Sequence, residues 1–192
     1  MIEYLSGNLA EVSPALAVID CQGVGYAVHI SLNTFGKLSS GSKAKLYVHA
    51  VYREDAQLLF GFYTQEERFV FRMLISVSGV GPNTARLILS SLSASEVVEA
   101  IQMGNVGAFS SVKGIGAKTA QRLIVDLRDK AGQGAVLGIP GEGSATMLPE
   151  ALNALMVLGY AKPVAEKAVL KVMKDQPELS LENLIKQTLK IL

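Results

Sequence analysis

The chain has 192 residues, of which 49% are hydrophobic and 18% are charged, and its formal net charge is +1. This composition is typical of a globular protein and excludes a mainly disordered chain. No apolar run reaches the ~18 residues that cross a bilayer, and the N-terminus lacks the basic and apolar regions of a signal peptide. With one cysteine, Cys21, an intrachain disulfide is excluded, so we expect a cytoplasmic protein without a membrane segment.

The charge is unevenly distributed along the chain. Residues 1–65 have a net charge of −1, residues 66–132 a net charge of +2, and residues 133–192 a net charge of zero. A positive net charge as small as +2 neutralises few phosphates. Any affinity for nucleic acid therefore needs oriented backbone amides, and several subunits, in addition to charge.

Residues 1–64 are predicted to form an all-β domain. Short alternating or apolar segments bounded by turn residues predict five strands, which we place at Ile2–Val12, Ala15–Ile19, Tyr26–Ile30, Leu46–Tyr52 and Leu58–Phe62. Five strands in about sixty residues are typical of a Greek-key barrel of the OB type. A barrel this small is expected to need stabilising contacts with a neighbouring domain or with other subunits.

Residues 65–130 are predicted to be helical, because apolar residues recur three and four positions apart. Ser93 and Glu96 have the spacing of a capping box, which predicts the start of a helix. Residues 131–147 are rich in glycine and lack periodicity, so we expect a flexible linker there.

Residues 148–192 are predicted to form a three-helix, UBA-like module. Gly159 is predicted to be a left-handed residue after the first helix, the second helix is expected to start near Pro163, and the third follows Ser180. Leu181, Leu184, Ile185 and Leu189 are expected on one face of the third helix.

The most informative feature is a ten-residue segment that occurs twice. Residues 76–85, SVSGVGPNTA, are matched by residues 111–120, SVKGIGAKTA, with the same residue at six positions. Each copy leads from a helical segment through Gly-x-Gly into an amphipathic helix. Glycines allow close approach to a phosphate, and the N-terminus of the following helix supplies free N–H groups and partial positive charge. Two such sites predict sequence-independent binding to a nucleic-acid backbone.

The two copies differ in charge. Lys118 in the second copy replaces Asn83 in the first, so we expect the second copy to bind phosphate more strongly. Neither copy fits a P-loop or a dinucleotide fingerprint, and each follows a helix where a strand is required. We therefore expect no nucleotide cofactor.

No catalytic or metal-binding constellation is evident. His29 and His49 lie in predicted strands without cysteines or carboxylates at metal-ligand spacing, and we interpret them as surface or core polar residues. Cys21 has no evident activating partner and is interpreted as a packing residue.

Glu54 and Asp55 are adjacent carboxylates at the predicted tip of the last β-hairpin. Alone, they are typical of a solvated turn. In a protein that binds DNA, two carboxylates on a rigid tip would repel phosphates, and such repulsion can reject the wrong shape of DNA.

These segments together resemble the RuvA family, which recognises Holliday junctions in bacteria. The resemblance is carried by VYREDAQLLFGF at residues 51–62, SGVGP at 78–82 and KGIGAKTAQRLI at 113–124, with support from GVGY at 23–26 and LGY at 158–160. It covers the whole chain, and the ordered combination of motifs is highly specific.

The resemblance implies an OB-fold domain, a domain with tandem helix-hairpin-helix motifs, and a third domain that docks on RuvB, the hexameric ATPase motor of branch migration. It further implies a homotetramer, or an octamer on the junction, that holds four-way DNA open and square, with the nuclease RuvC sharing the assembly. The chain itself would be a non-catalytic subunit in homologous recombination and DNA repair.

The same resemblance implies roles for individual residues. Phosphate contacts would come from Gly79, Val80, Gly81, Gly114, Ile115, Gly116, Lys118 and Thr119. Glu54 and Asp55 would form an acidic pin at the crossover. Asn83 and Ala117 stand where basic residues or proline are commoner in the family.

Two other functions fit part of the pattern. A helix-hairpin-helix repair enzyme, such as a glycosylase or a nuclease, needs a catalytic Lys or Asp beside the hairpin. The nearby acids Asp126 and Asp129 are instead expected to pair with Arg122 and Lys130 on a solvated face. A single-strand binder that uses the barrel is disfavoured because aromatic residues make up only 6% of the chain.

Overall fold

The structure, a computed structural model, describes residues 2–134, 147–176 and 179–192. The chain forms two compact units, Met1–Ala131 and Gly132–Leu192. Within the described residues no helix is long and apolar enough to cross a membrane.

The first unit begins with five strands that close into a barrel. The strands are β1 (Tyr4–Ser13), β2 (Leu16–Cys21), β3 (Val24–Ile30), β4 (Lys43–Tyr52) and β5 (Gln57–Phe62). Their order around the barrel is β1-β2-β3-β5-β4, and only the β3–β5 pair is parallel. This is the Greek-key arrangement of the OB fold, so the predicted fold class is confirmed.

The barrel interior is lined by one side of each strand. Leu46 and Val48 of β4 are fully buried there, and alternate residues of β4 point outward. A four-residue helix, α1 (Leu32–Phe35), connects β3 to β4. It was not predicted, because four residues are too few to show a helical period.

Five helices complete the first unit. They are α2 (Gln65–Ile75), α3 (Pro82–Ser91), α4 (Ala94–Met103), α5 (Val106–Ser110) and α6 (Ala117–Gly134). The predicted capping box of α4 is confirmed, since the Ser93 N–H donates to Glu96 Oε2 at 2.7 Å and the Glu96 N–H donates to Ser93 Oγ at 3.3 Å. Helix α6 continues to Gly134, four residues into the predicted linker. The remainder of that linker, up to residue 146, lies outside the described residues.

The second unit contains α7 (Met147–Val157), α8 (Lys162–Asp175) and α9 (Leu181–Leu189). Gly159 has φ +98°, so its predicted left-handed conformation is confirmed. Ser180 caps α9 by accepting a hydrogen bond from the Asn183 N–H. Leu184 is buried in the core of the module, whereas Leu189 is 37% exposed, so the predicted apolar face of α9 ends before Leu189.

Candidate nucleic-acid interface

The repeated segment forms two hairpins between helices. Hairpin 1 (residues 76–81) joins α2 to α3, and hairpin 2 (residues 111–116) joins α5 to α6. The two hairpins follow the same sequence of turns and loop residues, and corresponding positions have the same exposure. The similarity in sequence is therefore a similarity of backbone path.

Corresponding backbone hydrogen bonds hold each hairpin. In hairpin 1 the Val80 N–H donates to the Val77 carbonyl oxygen at 3.0 Å, and in hairpin 2 the Ile115 N–H donates to the Val112 carbonyl oxygen at 3.1 Å. All four side chains are at most 5% exposed and belong to the helical core. These residues attach the turns to the core.

The predicted phosphate contacts of Val80 and Ile115 stay a prediction, and the structure shows what these two residues do inside the hairpins. Both were expected to contact phosphates, but their N–H groups already donate within the turn and their side chains are buried. An occupied N–H group is not available to an external acceptor. The two residues hold the hairpins in shape, and the exposed positions of each turn belong to their neighbours.

Gly79 and Gly114 are required by backbone conformation. Their φ angles are +91° and +89°, in the left-handed region that residues with a Cβ rarely adopt. A Cβ at either position would meet no atom within 4 Å, so the requirement comes from the turn and not from crowding.

Gly81 and Gly116 have no such internal reason to be glycine. Neither has a positive φ, and Gly81 lies in the extended region at φ −82° and ψ 169°. A Cβ built at either position would meet nothing within 4 Å among the described residues. Both residues are exposed. The fold therefore tolerates a side chain there, and the absence of one leaves open space for a ligand.

Unused N–H groups lie beside this open space in hairpin 1. Gly81 is the N-cap of α3 and Pro82 has no N–H group. The first N–H of α3 to bond back is that of Ala85, which donates to the Gly81 carbonyl oxygen at 3.0 Å. Within the described part of the chain, the N–H groups of Gly81, Asn83 and Thr84 donate no hydrogen bond.

Hairpin 2 ends in the same way. The Ala120 N–H donates to the Gly116 carbonyl oxygen at 3.0 Å, which leaves the N–H groups of Gly116, Lys118 and Thr119 without an acceptor among the described residues. Unpaired amides at a helix N-terminus, together with the positive end of the helix dipole, form an anion-binding site. In the second site the structure thus places Lys118 and Thr119 next to Gly116, and in the first it adds Asn83 and Thr84 next to Gly81.

The charge around the two hairpins differs at equivalent positions. Lys113 and Lys118 of the second segment are exposed, and Ser78 and Asn83 occupy the same positions in the first. Neither lysine forms an ion pair with another described residue. Hairpin 2 therefore combines free amides with free positive charge, whereas hairpin 1 has amides alone.

The acids on helix α6 are at its exposed face. Arg122 Nε lies 3.5 Å from Asp126 Oδ2, with both side chains largely exposed. This confirms the predicted pairing for Asp126, while the side chains of Asp129 and Lys130 lie outside the described part of the chain. A carboxylate in such a pair belongs to an ordinary solvated helix face.

The acidic tip closes the β4–β5 hairpin. The Arg53 N–H donates to the Ala56 carbonyl oxygen at 2.8 Å, so Glu54 and Asp55 occupy the turn between them. Both acids are exposed, and neither forms an ion pair with another described residue. The turn therefore presents two unneutralised carboxylates to solvent.

Aromatic packing joins the barrel to the helices that carry the hairpins. The centroid of the Phe71 ring on α2 lies 5.3 Å from the ring centroid of Phe60 and 4.8 Å from that of Phe62, and both of these residues are on β5. All three residues belong to the helical core. The acidic tip and the two hairpins are therefore parts of one compact unit, Met1–Ala131, and the boundary at residues 64 and 65 stays a prediction.

Two buried charged side chains on α2 strengthen this connection. Glu67 is 4% exposed and accepts hydrogen bonds from Ser31 Oγ and, at 2.7 Å, from Thr34 Oγ1. Arg68 is 7% exposed, and its guanidinium lies 2.7 Å from a carboxylate oxygen of Glu3. Neither residue was predicted from the sequence to be buried, although both are charged residues that lie next to the apolar residues of a helical period.

The histidines lie at the edge of the core. His29 packs beside Phe60 with 5.4 Å between ring centroids, and His49 packs beside Phe71 with 5.5 Å. Partial burial lowers the pKa of both imidazoles, and neighbouring arginines lower each pKa further. Both are polar residues packed on aromatic rings, which is one of the two interpretations made from the sequence.

The second unit has an exposed apolar surface. Val157 at the end of α7 is 80% exposed, Leu158 is 59% exposed and Val164 in α8 is 53% exposed. The core of the module is filled by other residues, chiefly Leu155 and Val169. Large apolar side chains that are exposed and unused by the core are candidates for contact with another protein.

Family models match most of the chain. The model of the RuvA N-terminal domain matches residues 1–61, the model of the SAM-like helix-hairpin-helix tandem matches residues 71–129, and the model of the RuvA C-terminal domain matches residues 146–192. The second of these spans both hairpins, and the first contains the acidic tip.

Full-length relatives are similar to this chain. It is 50% identical to the Holliday junction branch migration complex subunit RuvA of Bacteroides fragilis, over 99% of each chain. Identity to the subunit of the same name is 49% in Bacteroides thetaiotaomicron and 47% in Christiangramia forsetii, again over 99% of each chain.

Proposed function

The chain belongs to the RuvA family, and from this premise we propose that it binds Holliday junction DNA as the non-catalytic subunit of a branch migration complex. The observation that carries the proposal is the pair of hairpins with free amides, on the same compact unit as an exposed acidic tip. Its role is in homologous recombination and DNA repair, and the ATPase is RuvB.

The hairpins bind the phosphate backbone without reading sequence. The proposed donors are the N–H groups of Gly81, Asn83 and Thr84 in the first site and of Gly116, Lys118 and Thr119 in the second. Gly79 and Gly114 hold the turns in shape, and Gly81 and Gly116 let a phosphate approach the backbone. Such contacts fix the position of a duplex arm and leave base edges free.

The acidic tip selects the shape of the DNA. Glu54 and Asp55 are exposed and unpaired among the described residues, so they repel a continuous backbone that passes over them. An open four-way junction has a gap at its centre where the strands diverge. The tip fits this gap at low electrostatic cost, whereas linear duplex places phosphates against it.

The working assembly is a homotetramer, and a second tetramer can cover the other face of the junction to form an octamer. Four subunits provide eight hairpins and eight acidic side chains around one centre. This multiplicity compensates for the small charge of each chain. RuvC, the junction nuclease, acts in the same assembly, and the complex works in the cytoplasm, where chromosomal DNA lies.

The C-terminal module, residues 148–192, recruits RuvB. Its support is the exposed apolar surface around Val157, Leu158 and Val164, which the core of the module does not use. Residues 131–147 link the module to the DNA-binding unit. The chain thus binds the junction, and RuvB supplies the force that moves the DNA.

A repair enzyme of the glycosylase or nuclease class is not favoured. Asp126, the described acid nearest to hairpin 2 along α6, is paired with Arg122 on an exposed helix face. A catalytic carboxylate needs a sheltered site, and this exposed pair does not provide one.

Competitive binding tests the proposal. The purified full-length chain is titrated with a labelled synthetic four-way junction and with linear duplex of equal length at physiological salt. We expect the junction to bind at least tenfold more tightly, a difference of ~1.4 kcal/mol. Equal affinity for the two DNAs, or strand cleavage or base excision by the protein alone, would refute it.

A further inference from the structure

A second cluster of positive charge lies on the barrel, at the end of β4 opposite the acidic tip. A cavity of about 410 Å³ opens beside the start of β4 and is lined by Lys37, Lys43, Lys45, Tyr47 and Tyr63. No Asp or Glu is among the described residues that line it. Its volume lies in the range of cavities that bind small molecules, ~300–1,000 Å³.

The positive charge of this cluster contrasts with the negative net charge of the surrounding segment. Residues 1–65 contain only four Lys or Arg residues, and three of them line this cavity, although the segment as a whole has a net charge of −1. Lys43 and Lys45 are two positions apart on β4 and therefore project from the same face, together with Tyr47. Lys37 approaches from the loop that follows α1.

Tyrosine rings hold two of the lysines in place. Lys45 Nζ lies 4.5 Å from the ring centroid of Tyr4 and 5.1 Å from that of Tyr47, and Lys37 Nζ lies 5.5 Å from the ring centroid of Tyr63. Cation–π contacts of this kind restrict an ammonium group without neutralising it. The positive charges are therefore positioned before any anion arrives.

The lysines remain available for a ligand. None of the three forms an ion pair with another described residue. The positive field is also felt by Tyr47, whose phenol has a lowered pKa, chiefly because of a hydrogen bond with the Gln65 side chain and further because of the charge of Lys45. A built cation cluster without a carboxylate has the chemistry of an anion site.

The cavity is separate from the acidic tip and from hairpin 1. Lys43 begins β4, and the acidic tip follows Tyr52 at its other end, roughly 30 Å further along the strand at ~3.3 Å per residue. Tyr63 precedes the N-terminus of α2, and hairpin 1 follows its C-terminus, a helix length of roughly 16 Å. A phosphate held at hairpin 1 or beside the tip is thus not the ligand of this cavity.

We propose that this cavity is a second binding site, for an anion that carries two or more closely spaced phosphates. Three ammonium groups match several negative charges better than one, and lysine binds phosphate as a point charge. The same chemistry is offered by a free polyphosphate and by successive phosphodiesters of a DNA strand, which the experiment separates.

Calorimetric titration of the full-length chain provides the test, with inorganic tripolyphosphate, pentathymidylate and hexaglutamate as probes. Tripolyphosphate or pentathymidylate binds, and the triple variant Lys37→Gln, Lys43→Gln, Lys45→Gln weakens that binding at least tenfold. Binding of tripolyphosphate alone identifies a free polyphosphate as the ligand, and stronger binding of pentathymidylate identifies a DNA strand.

A charge-matched control is available on α8, where Lys167, Lys171 and Lys174 are exposed. Replacing these three by Gln should leave tripolyphosphate binding within twofold. The cavity variant should retain junction binding, so failure of the junction proposal and failure of this one give different results.

Three results would overturn the site: no measurable binding of either phosphate probe, hexaglutamate binding as tightly as the phosphates, or equal weakening in the two triple variants. A cavity variant that binds phosphate normally but loses its oligomeric state would also overturn it, since the lysines would then contact another subunit.

Discussion

The Phe71 ring of helix α2 lies 4.8 Å from the Phe62 ring at the end of strand β5, and this contact links the hairpins to the acidic tip. Strand β5 starts at Gln57, directly after the tip, and α2 ends at the start of hairpin 1. Binding that selects the shape of the DNA needs the acidic tip and the amides of the hairpins to be held at a fixed separation. The shared core provides that rigidity.

Removing the Phe71 ring should destabilise the barrel and the helices together. Phe71 is fully buried, and we expect Phe71→Ala to lower the free energy of unfolding by about 3–5 kcal/mol. Urea unfolding should show one transition for near-UV and far-UV signals. Met103→Ala, at a 74% exposed site, is the control and should change stability by less than about 0.5 kcal/mol. Separate transitions for the barrel and for the helices of the first unit would contradict a shared core.

The acidic tip should control discrimination more than affinity. Glu54→Gln with Asp55→Asn keeps the size of both side chains and removes their repulsion of phosphates. We expect the ratio of duplex to junction dissociation constants to fall about tenfold, equivalent to ~1.4 kcal/mol, mainly through tighter duplex binding. The exposed pair Glu11→Gln with Glu99→Gln changes the net charge equally and should leave the ratio unaltered. An unchanged ratio in the tip variant would remove the selecting role.

The charge difference between the hairpins should appear in the salt dependence of binding. Lys113→Gln with Lys118→Gln removes the free cations of hairpin 2, so the slope of log K against log salt should become shallower by about 0.9 for each phosphate that is no longer neutralised. The reverse change, Ser78→Lys with Asn83→Lys in hairpin 1, should make the slope steeper. Equal slopes in all three proteins would mean that these lysines do not face phosphates.

The C-terminal module should be dispensable for DNA binding and necessary for the motor. Deleting residues 148–192 leaves the unit Met1–Ala131 intact, and junction affinity should stay within twofold. Stimulation of the RuvB ATPase should be abolished, because the exposed apolar surface of the module is gone. Full stimulation by the truncated chain would place the RuvB contact on the DNA-binding unit.

Much of the fold could be predicted because its signals are local. Alternation along a strand, helical periodicity and the capping box at Ser93 and Glu96 depend on residues a few positions apart, and the structure has each of them. The connection between the domains could not be predicted in this way. Glu67 meets Ser31 and Thr34 from more than thirty positions away, and only the folded chain brings these residues together.

In the candidate site, too, some features could be predicted from the sequence and others only from the folded chain. Its position followed from the doubled segment, but the role of each residue depends on which N–H groups the turn already uses. Val80 and Ile115 look like equal members of a Gly-x-Gly motif in the sequence, whereas their hydrogen bonds and burial assign them to the core. The sequence also did not distinguish Gly79, which the turn requires, from Gly81, which it does not.

Because Gly81 and Gly116 are not required by the turns, replacing them tests most directly whether backbone amides beside open space bind the junction. The double variant Gly81→Ala, Gly116→Ala adds two methyl groups that meet no atom of the protein within 4 Å. We predict a melting temperature within about 2 °C of the wild type and junction affinity at least tenfold weaker, a loss of ~1.4 kcal/mol or more. Unchanged junction affinity in this stable variant would contradict the account.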